Sequence, residues 1–329
     1  MVYALRVLSV ICLLCVVVMA QKVDNGREIV RPASYKEPNI VADQALDELL
    51  RLTVDATINI FAGKGVKRGD VAATLIDVSD MNRLKMASVR GDAAIYPASV
   101  VKMFYMAALE RQLEDKKVTM TPELARGLKD MIVDSSNEAT QYIFDVITGT
   151  ASGSELPKKE FDAWQFKRNR VNRWLTSMGY TGINVNQKTF CEDAYGIEQQ
   201  SRGYKGKNRN MITTYATARL MAEIVLGRIA DAGGTAKMME LMKRYPFAIS
   251  TDADSQAVGF TGKAFIDLKL TDARLWSKAG WTSKTRHDAA YIELPDGAKF
   301  VLVIFTENHA NEREIIPSIA RVVIAGMRK

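Results

Sequence analysis

The stretch Tyr96-Pro97-Ala98-Ser99-Val100-Val101-Lys102 runs straight into the apolar residues 103–109. If Ser99 opens a helix, Ser99 and Lys102 stand at i and i+3, stacked one turn apart on one face. A hydroxyl and an amine are then neighbours at a helix N-terminus, where free backbone N–H groups favour negative charge. A lysine of lowered pKa can take the hydroxyl proton and make the serine oxygen nucleophilic, with no histidine involved. The same spacing suits a serine that only caps a helix. The rest of the chain must therefore supply the partners of this pair.

At 329 residues the chain is long enough for a sizeable core, in one large domain or two small ones. Its net charge of +7 is modest. Two basic clusters stand out: Lys167, Arg168, Arg170 and Arg173, then Arg202, Lys205, Lys207 and Arg209. They read as solvated surface, with attraction to a polyanion as the alternative. No zinc-finger or RNP pattern is present, so no nucleic-acid partner is expected.

Arg6, the apolar run 7–18 and Val18-Met19-Ala20 form the pattern of a secretory signal peptide cleaved after Ala20. Export to the periplasm or the medium is expected. The run is short for a membrane span, so an uncleaved anchor is the alternative and the only expected contact with a membrane. Cleavage removes Cys12 and Cys15 and leaves Cys191 alone. No internal disulfide can then form, and Cys191 reads as a partly buried, inert thiol. With His287 and His309 as the only histidines, neither a metal site nor a cofactor is expected. The G-x-S-x-G, Walker and Rossmann patterns are all missing.

After a polar, exposed leader over 21–40, apolar spacing predicts a helix over 42–56 and strands over 71–78 and 84–89. The helix of the opening stretch covers 98–115, with an apolar face wide enough for the centre of a domain. Thr121-Pro122-Glu123 starts a helix to about 133. Further helices are predicted over 138–147, 158–178, 214–226 and 235–244. Residues 181–210 show no periodicity, and an irregular stretch that long is often functional. Strands follow over 274–282, 289–294 and 300–305, then a helix over 312–327. This order predicts an α+β fold: an antiparallel sheet built from both chain ends, with a mostly helical region inserted. The α/β part takes about 41–95 and 235–329, and the helical part about 96–234.

Two more triplets complete a pattern. Ser135-Ser136-Asn137 lies between two predicted helices, and Lys278-Ala279-Gly280 lies on the first strand of the C-terminal hairpin. Ser-x-x-Lys, Ser-x-Asn and Lys-Thr/Ser-Gly in this order form the signature set of the penicillin-recognising serine hydrolases. From about residue 40 onward the chain resembles that family, class A β-lactamases most closely. The resemblance implies that Ser99 forms an acyl-enzyme, Lys102 is its base or proton relay, and Ser135 passes a proton to the leaving nitrogen. It implies that Asn137 binds the substrate's amide side chain and that Lys278 attracts the substrate carboxylate. It places the oxyanion hole at the backbone N–H groups of Ser99 and Trp281, beside Gly280.

Four departures qualify the resemblance. Ala279 replaces a hydroxyl residue that binds the carboxylate; Thr282, Thr285, Arg286 or His287 could compensate. Ser136 replaces an aspartate, and the segment between Lys102 and Ser135 looks short. The glutamate that activates the deacylating water has no clear counterpart in 181–210: one count favours Glu198, another Glu192. The leading expectation is an exported, monomeric class A-like β-lactamase that hydrolyses β-lactam amides. The alternatives are a D-alanyl-D-alanine carboxypeptidase or transpeptidase, and a non-catalytic binder of cell-wall fragments on the same fold.

Overall fold

The computed structural model describes residues 25–328; the signal segment read over 1–20 lies outside them. In chain order the helices are α1 (Gln44–Phe61), α2 (Val101–Glu114), α3 (Pro122–Ile132), α4 (Asn137–Thr148), α5 (Lys158–Arg168) and α6 (Arg170–Ser177). Then come α7 (Ile197–Arg202), α8 (Thr214–Val225), α9 (Ala232–Met242), α10 (Thr261–Asp267) and α11 (Ile315–Met327). The strands are β1 (Ile40–Ala42), β2 (Val71–Asp77), β3 (Leu84–Val89), β4 (Lys243–Arg244), β5 (Arg274–Trp281), β6 (Thr285–Glu293) and β7 (Lys299–Glu307).

The strands make one sheet in the order β1-β3-β2-β7-β6-β5-β4. Both chain ends contribute to it, as expected, and every pair is antiparallel except β1 with β3. The sheet is covered on both faces, which is why β2 and β7 read as continuous apolar runs. Side chains alternate between two cores. Val71, Ala73 and Leu75 pack with α1, α10 and α11, while Ala72 and Ile76 face the helical region. On β5, Leu275 and Ala279 belong to the first core and Trp276 to the second. Lys278 and Gly280 share the parity of Trp276 and so face the helical region. α2 is buried from Val101 to Gln112, at the centre of that region.

Three expectations change. The exposed leader is, over its described part, laid on the domain: Ile29 is buried, and the Tyr35 hydroxyl donates to Glu223 Oε1 at 2.7 Å. The predicted helix 158–178 breaks at Asn169 into α5 and α6. Of the basic clusters, Arg168 and Arg170 are buried rather than solvated. Each has partners far away in sequence, and helical spacing cannot reveal those.

Candidate active site

Ser99 sits in a single 3-10 turn, Ala98–Val100, that feeds α2. It does not cap the helix; no side chain does. Ala98 has φ +45°, a left-handed conformation that costs a residue with a Cβ about 1 kcal/mol or more. The surroundings enforce it. His287 Nε2–H donates to the Tyr96 carbonyl at 2.9 Å, and the Thr306 N–H donates to His287 Nδ1 at 3.2 Å. Both ring nitrogens are thereby assigned and the imidazole is neutral; burial pushes its pKa down to about 4. From β5, Gly280 presses against the same turn: a Cβ there would lie 2.6 Å from Ser99 N and 2.8 Å from Val100 N. Only glycine permits that approach.

The second motif occupies the break between α3 and α4. Ser135 has φ +59°, and Ser136 caps α4 by accepting from the Ala139 N–H at 3.1 Å. Ser136 thus has a local structural task, and the strained Ser135 is turned toward two amines. The fully buried Lys102 donates to Asn137 Oδ1 at 3.0 Å, to Ser135 Oγ at 3.3 Å and to the Ser135 carbonyl. Lys278, also fully buried, donates to Ser135 Oγ at 3.0 Å and to its neighbour's Ala279 carbonyl at 2.8 Å.

Burial lowers the pKa of Lys102 to about 7, against the opposing pull of Cys191 and Glu138. Lys278 is lowered well below its ordinary value, first by burial and then by the nearby positive charges of Lys102 and Arg244. Two ammonium groups on one hydroxyl in a dry site repel each other. A neutral Lys102 near pH 7 is a competent base, and Ser135 is placed to relay a proton between the amines.

A cleft of about 850 Å³ opens over these groups, lined by Ser99, Ser135, Asn137, Gly280 and Trp281 among others. β4 pairs with Leu275 and Trp276, which leaves the rest of the β5 edge without a strand partner, and Ala279, Gly280 and Trp281 line the cleft. The Ala279 N–H donates across that edge to Gln256 Oε1 at 3.1 Å. In a strand, N–H groups two apart point the same way, so the Trp281 N–H faces the cleft beside the Ser99 turn.

All seven residues singled out from the motifs therefore converge, five on the cleft wall and Lys102 and Lys278 beneath it. The two candidate deacylation bases do not join them. Glu198 is buried away from the cleft, 2.6 Å from Arg168 Nη2 and 3.3 Å from Lys188 Nζ, and accepts from Ser152 Oγ at 2.8 Å. Glu192 is exposed and does not line the cleft. From this loop, Phe190 and Cys191 reach the cleft instead. Cys191 is exposed, not partly buried; Asn137 Nδ2 donates to its Sγ at 3.5 Å, and its thiol donates to Glu138 Oε1 at 3.5 Å.

The expected compensation for Ala279 also changes. His287 is spent on Tyr96 and Thr306, and Arg286 donates to Asp254 Oδ1 at 2.6 Å and the Gly259 carbonyl at 2.7 Å. Thr282 shares a hydrogen bond with Thr285 at 3.1 Å and, alone of these four, lines the cleft. The polar group that meets β5 is Gln256, which no spacing or motif pointed to.

The sequence matches the beta-lactamase enzyme family over residues 55–326. No curated protein matches it. Among solved structures it is similar to a β-lactamase from Sphaerobacter thermophilus, with TM-score 0.59 and 18% identity, covering 85% of this chain and 97% of that one. A β-lactamase from Chitinophaga pinensis gives TM-score 0.60 and 16% identity, over 84% and 97% of the two chains. A variant of PBP-A, solved as its acyl-enzyme with penicillin G, gives TM-score 0.58 and 18% identity, over 88% and 97%. At these identities the structural likeness speaks for the fold. Together with the sequence match, it places this chain in the beta-lactamase enzyme family, as a serine β-lactamase-like hydrolase.

Proposed function

We propose that the protein is an exported, monomeric enzyme that opens β-lactam amides through an acyl-enzyme at Ser99. Neutral Lys102 takes the Ser99 proton as the oxygen adds to the carbonyl carbon. The oxyanion forms against the N–H groups of Ser99 and Trp281. The C–N bond breaks as Ser135 gives its proton to the nitrogen, and the Lys102 ammonium restores that proton. Asn137 holds the amide side chain, and Lys278 draws the substrate carboxylate. The observation that carries this reading is Ser135 Oγ held by Lys102 at 3.3 Å and Lys278 at 3.0 Å beside Ser99. Incubation with a fluorescent penicillin tests it: the wild-type protein is labelled covalently and Ser99→Ala is not. Persistent labelling of that variant sinks the assignment.

One observation favours a second reading, a D-alanyl-D-alanine carboxypeptidase or transpeptidase. The loop that would carry a deacylating carboxylate puts Cys191 at the cleft, with Glu198 locked in ion pairs. Hydrolysis of the ester then depends on Lys102 alone and is slow. Adduct lifetime separates the two: turnover of nitrocefin in seconds marks a lactamase, and an adduct that lasts for hours marks the peptidase.

A further inference from the structure

Residues 245–259 carry no regular element, yet one side chain from this stretch enters the centre of the site. Gln256 Oε1 accepts from Lys278 Nζ at 2.6 Å and from the Ala279 N–H at 3.1 Å. Gln256 Nε2 donates to the carbonyls of Ile132 at 3.1 Å and Val133 at 2.8 Å. One amide thus joins the open edge of β5 to the segment just before Ser135. Its oxygen takes both donors that this edge offers next to Ser135.

We infer that Gln256 determines which substrates the cleft accepts: its amide stands, as a neutral surrogate, on Lys278, the group the proposed function gives to a substrate carboxylate, and on the Ala279 N–H beside it. The inference rests on the proposed acylation of Ser99. An anionic substrate must displace this amide, whereas a neutral one need not.

The chemistry supports this assignment. A carboxylate binds an ammonium more strongly than an amide oxygen does, so an anion can compete for Lys278. Displacement also strips the Val133 carbonyl of the Gln256 donor, and leaving such a group unpaired is costly; the Ile132 carbonyl keeps Arg244 Nη2 at 3.2 Å. Ala279 adds no hydroxyl to help the incoming anion. The buried Lys278 meanwhile faces a neutral oxygen here, and the charges that act on it include Lys102 and Arg244 as repulsive neighbours and only Asp288 as an attractive one. An arriving carboxylate would supply a counter-charge that Gln256 does not.

The test compares acylation rates for benzylpenicillin and its methyl ester, in which a methyl group caps the carboxylate and removes its charge; each variant is read as the change in the acid-to-ester ratio against wild type. Gln256→Ala raises the rate for the acid about tenfold and leaves the ester within about twofold. Gln256→Glu places a resident anion on Lys278; it lowers the rate for the acid about tenfold and again spares the ester. An unchanged acid-to-ester ratio in both variants, or parallel losses for both compounds, overturns the proposal and leaves Gln256 as a structural tie. Thermal melting of each variant confirms that it is folded, and the isosteric Gln256→Glu keeps the test alive if the alanine variant melts early. Wild-type protein that neither compound acylates overturns the Ser99 reading, and this inference with it.

Discussion

Two lysines, Lys102 and Lys188, are both buried, and their surroundings set them apart. Lys188 Nζ lies 2.7 Å from Asp145 Oδ2 and 3.3 Å from Glu198 Oε1, beside Arg168 on the same carboxylate. Lys102 Nζ has neutral hydrogen-bond partners, Ser135 and Asn137. Lys188 ties the 181–210 loop to α4 through Asp145. Lys102 loses more to burial than Glu138 and Cys191 return, so it gives up its proton more readily than an ordinary lysine. The partners within reach, and not burial alone, set the two lysines apart.

The comparison can be broken at several points. The largest effect falls on the Ser99 wall. Gly280→Ala puts a Cβ 2.6 Å from Ser99 N. It should cut acylation by at least about a hundredfold, since misplacement by an ångström costs that much; stopped-flow labelling measures it. Acylation should also follow Lys102 deprotonation. Its rate rises about tenfold per pH unit below the Lys102 pKa of about 7 and levels off above it. A flat profile between pH 5 and 8 would remove Lys102 as the base.

Next, Cys191→Glu adds a second carboxylate to Glu138 in the surroundings of Lys102. Opposite charge raises the lysine pKa, so the midpoint of the acylation profile moves above 7. The new carboxylate should also shorten the acyl-enzyme lifetime, by about tenfold or more, as an added general base does. An unchanged lifetime, read by mass spectrometry of the adduct, would mean that this loop does not reach the deacylating water. The smallest effect on chemistry comes from the bracing wall. Glu198→Gln leaves Arg168 and Lys188 without their shared carboxylate; it should cost about 3 kcal/mol of stability, with little change in acylation. Denaturant unfolding alongside labelling checks both halves.

Much of the Ser99 wall was legible in the sequence. Ser99 with Lys102, and Ser135 with Asn137, are encoded within one helical turn or one helix break, and the motif order told which strand brings Lys278. The helices and strands of the core were legible for the same reason: period and caps are local. What could not be read depended on contacts between distant segments. Gln256 meets Ala279 and Val133 from a stretch with no pattern. Glu198 and Glu192 looked equivalent as counts along a loop, and only the positions of Arg168 and Lys188 separate them. The leader read as exposed because its anchors, Ile29 and Tyr35, sit in a mostly polar run without a helix or strand period.

His287 has a consequence outside catalysis. Its folded-state pKa of about 4 lies below the ordinary imidazole value of about 6.5, so the unfolded chain binds a proton there that the folded chain refuses. Stability from this residue is complete above about pH 6.5 and drains as the pH falls toward 4, by up to about tenfold in the folding equilibrium per unit. The imidazole that seats the Ser99 turn is therefore a pH-dependent brace. Acid weakens the fold and the Ser99 turn together through this one protonation, a partial loss that leaves the rest of the core's stability in place.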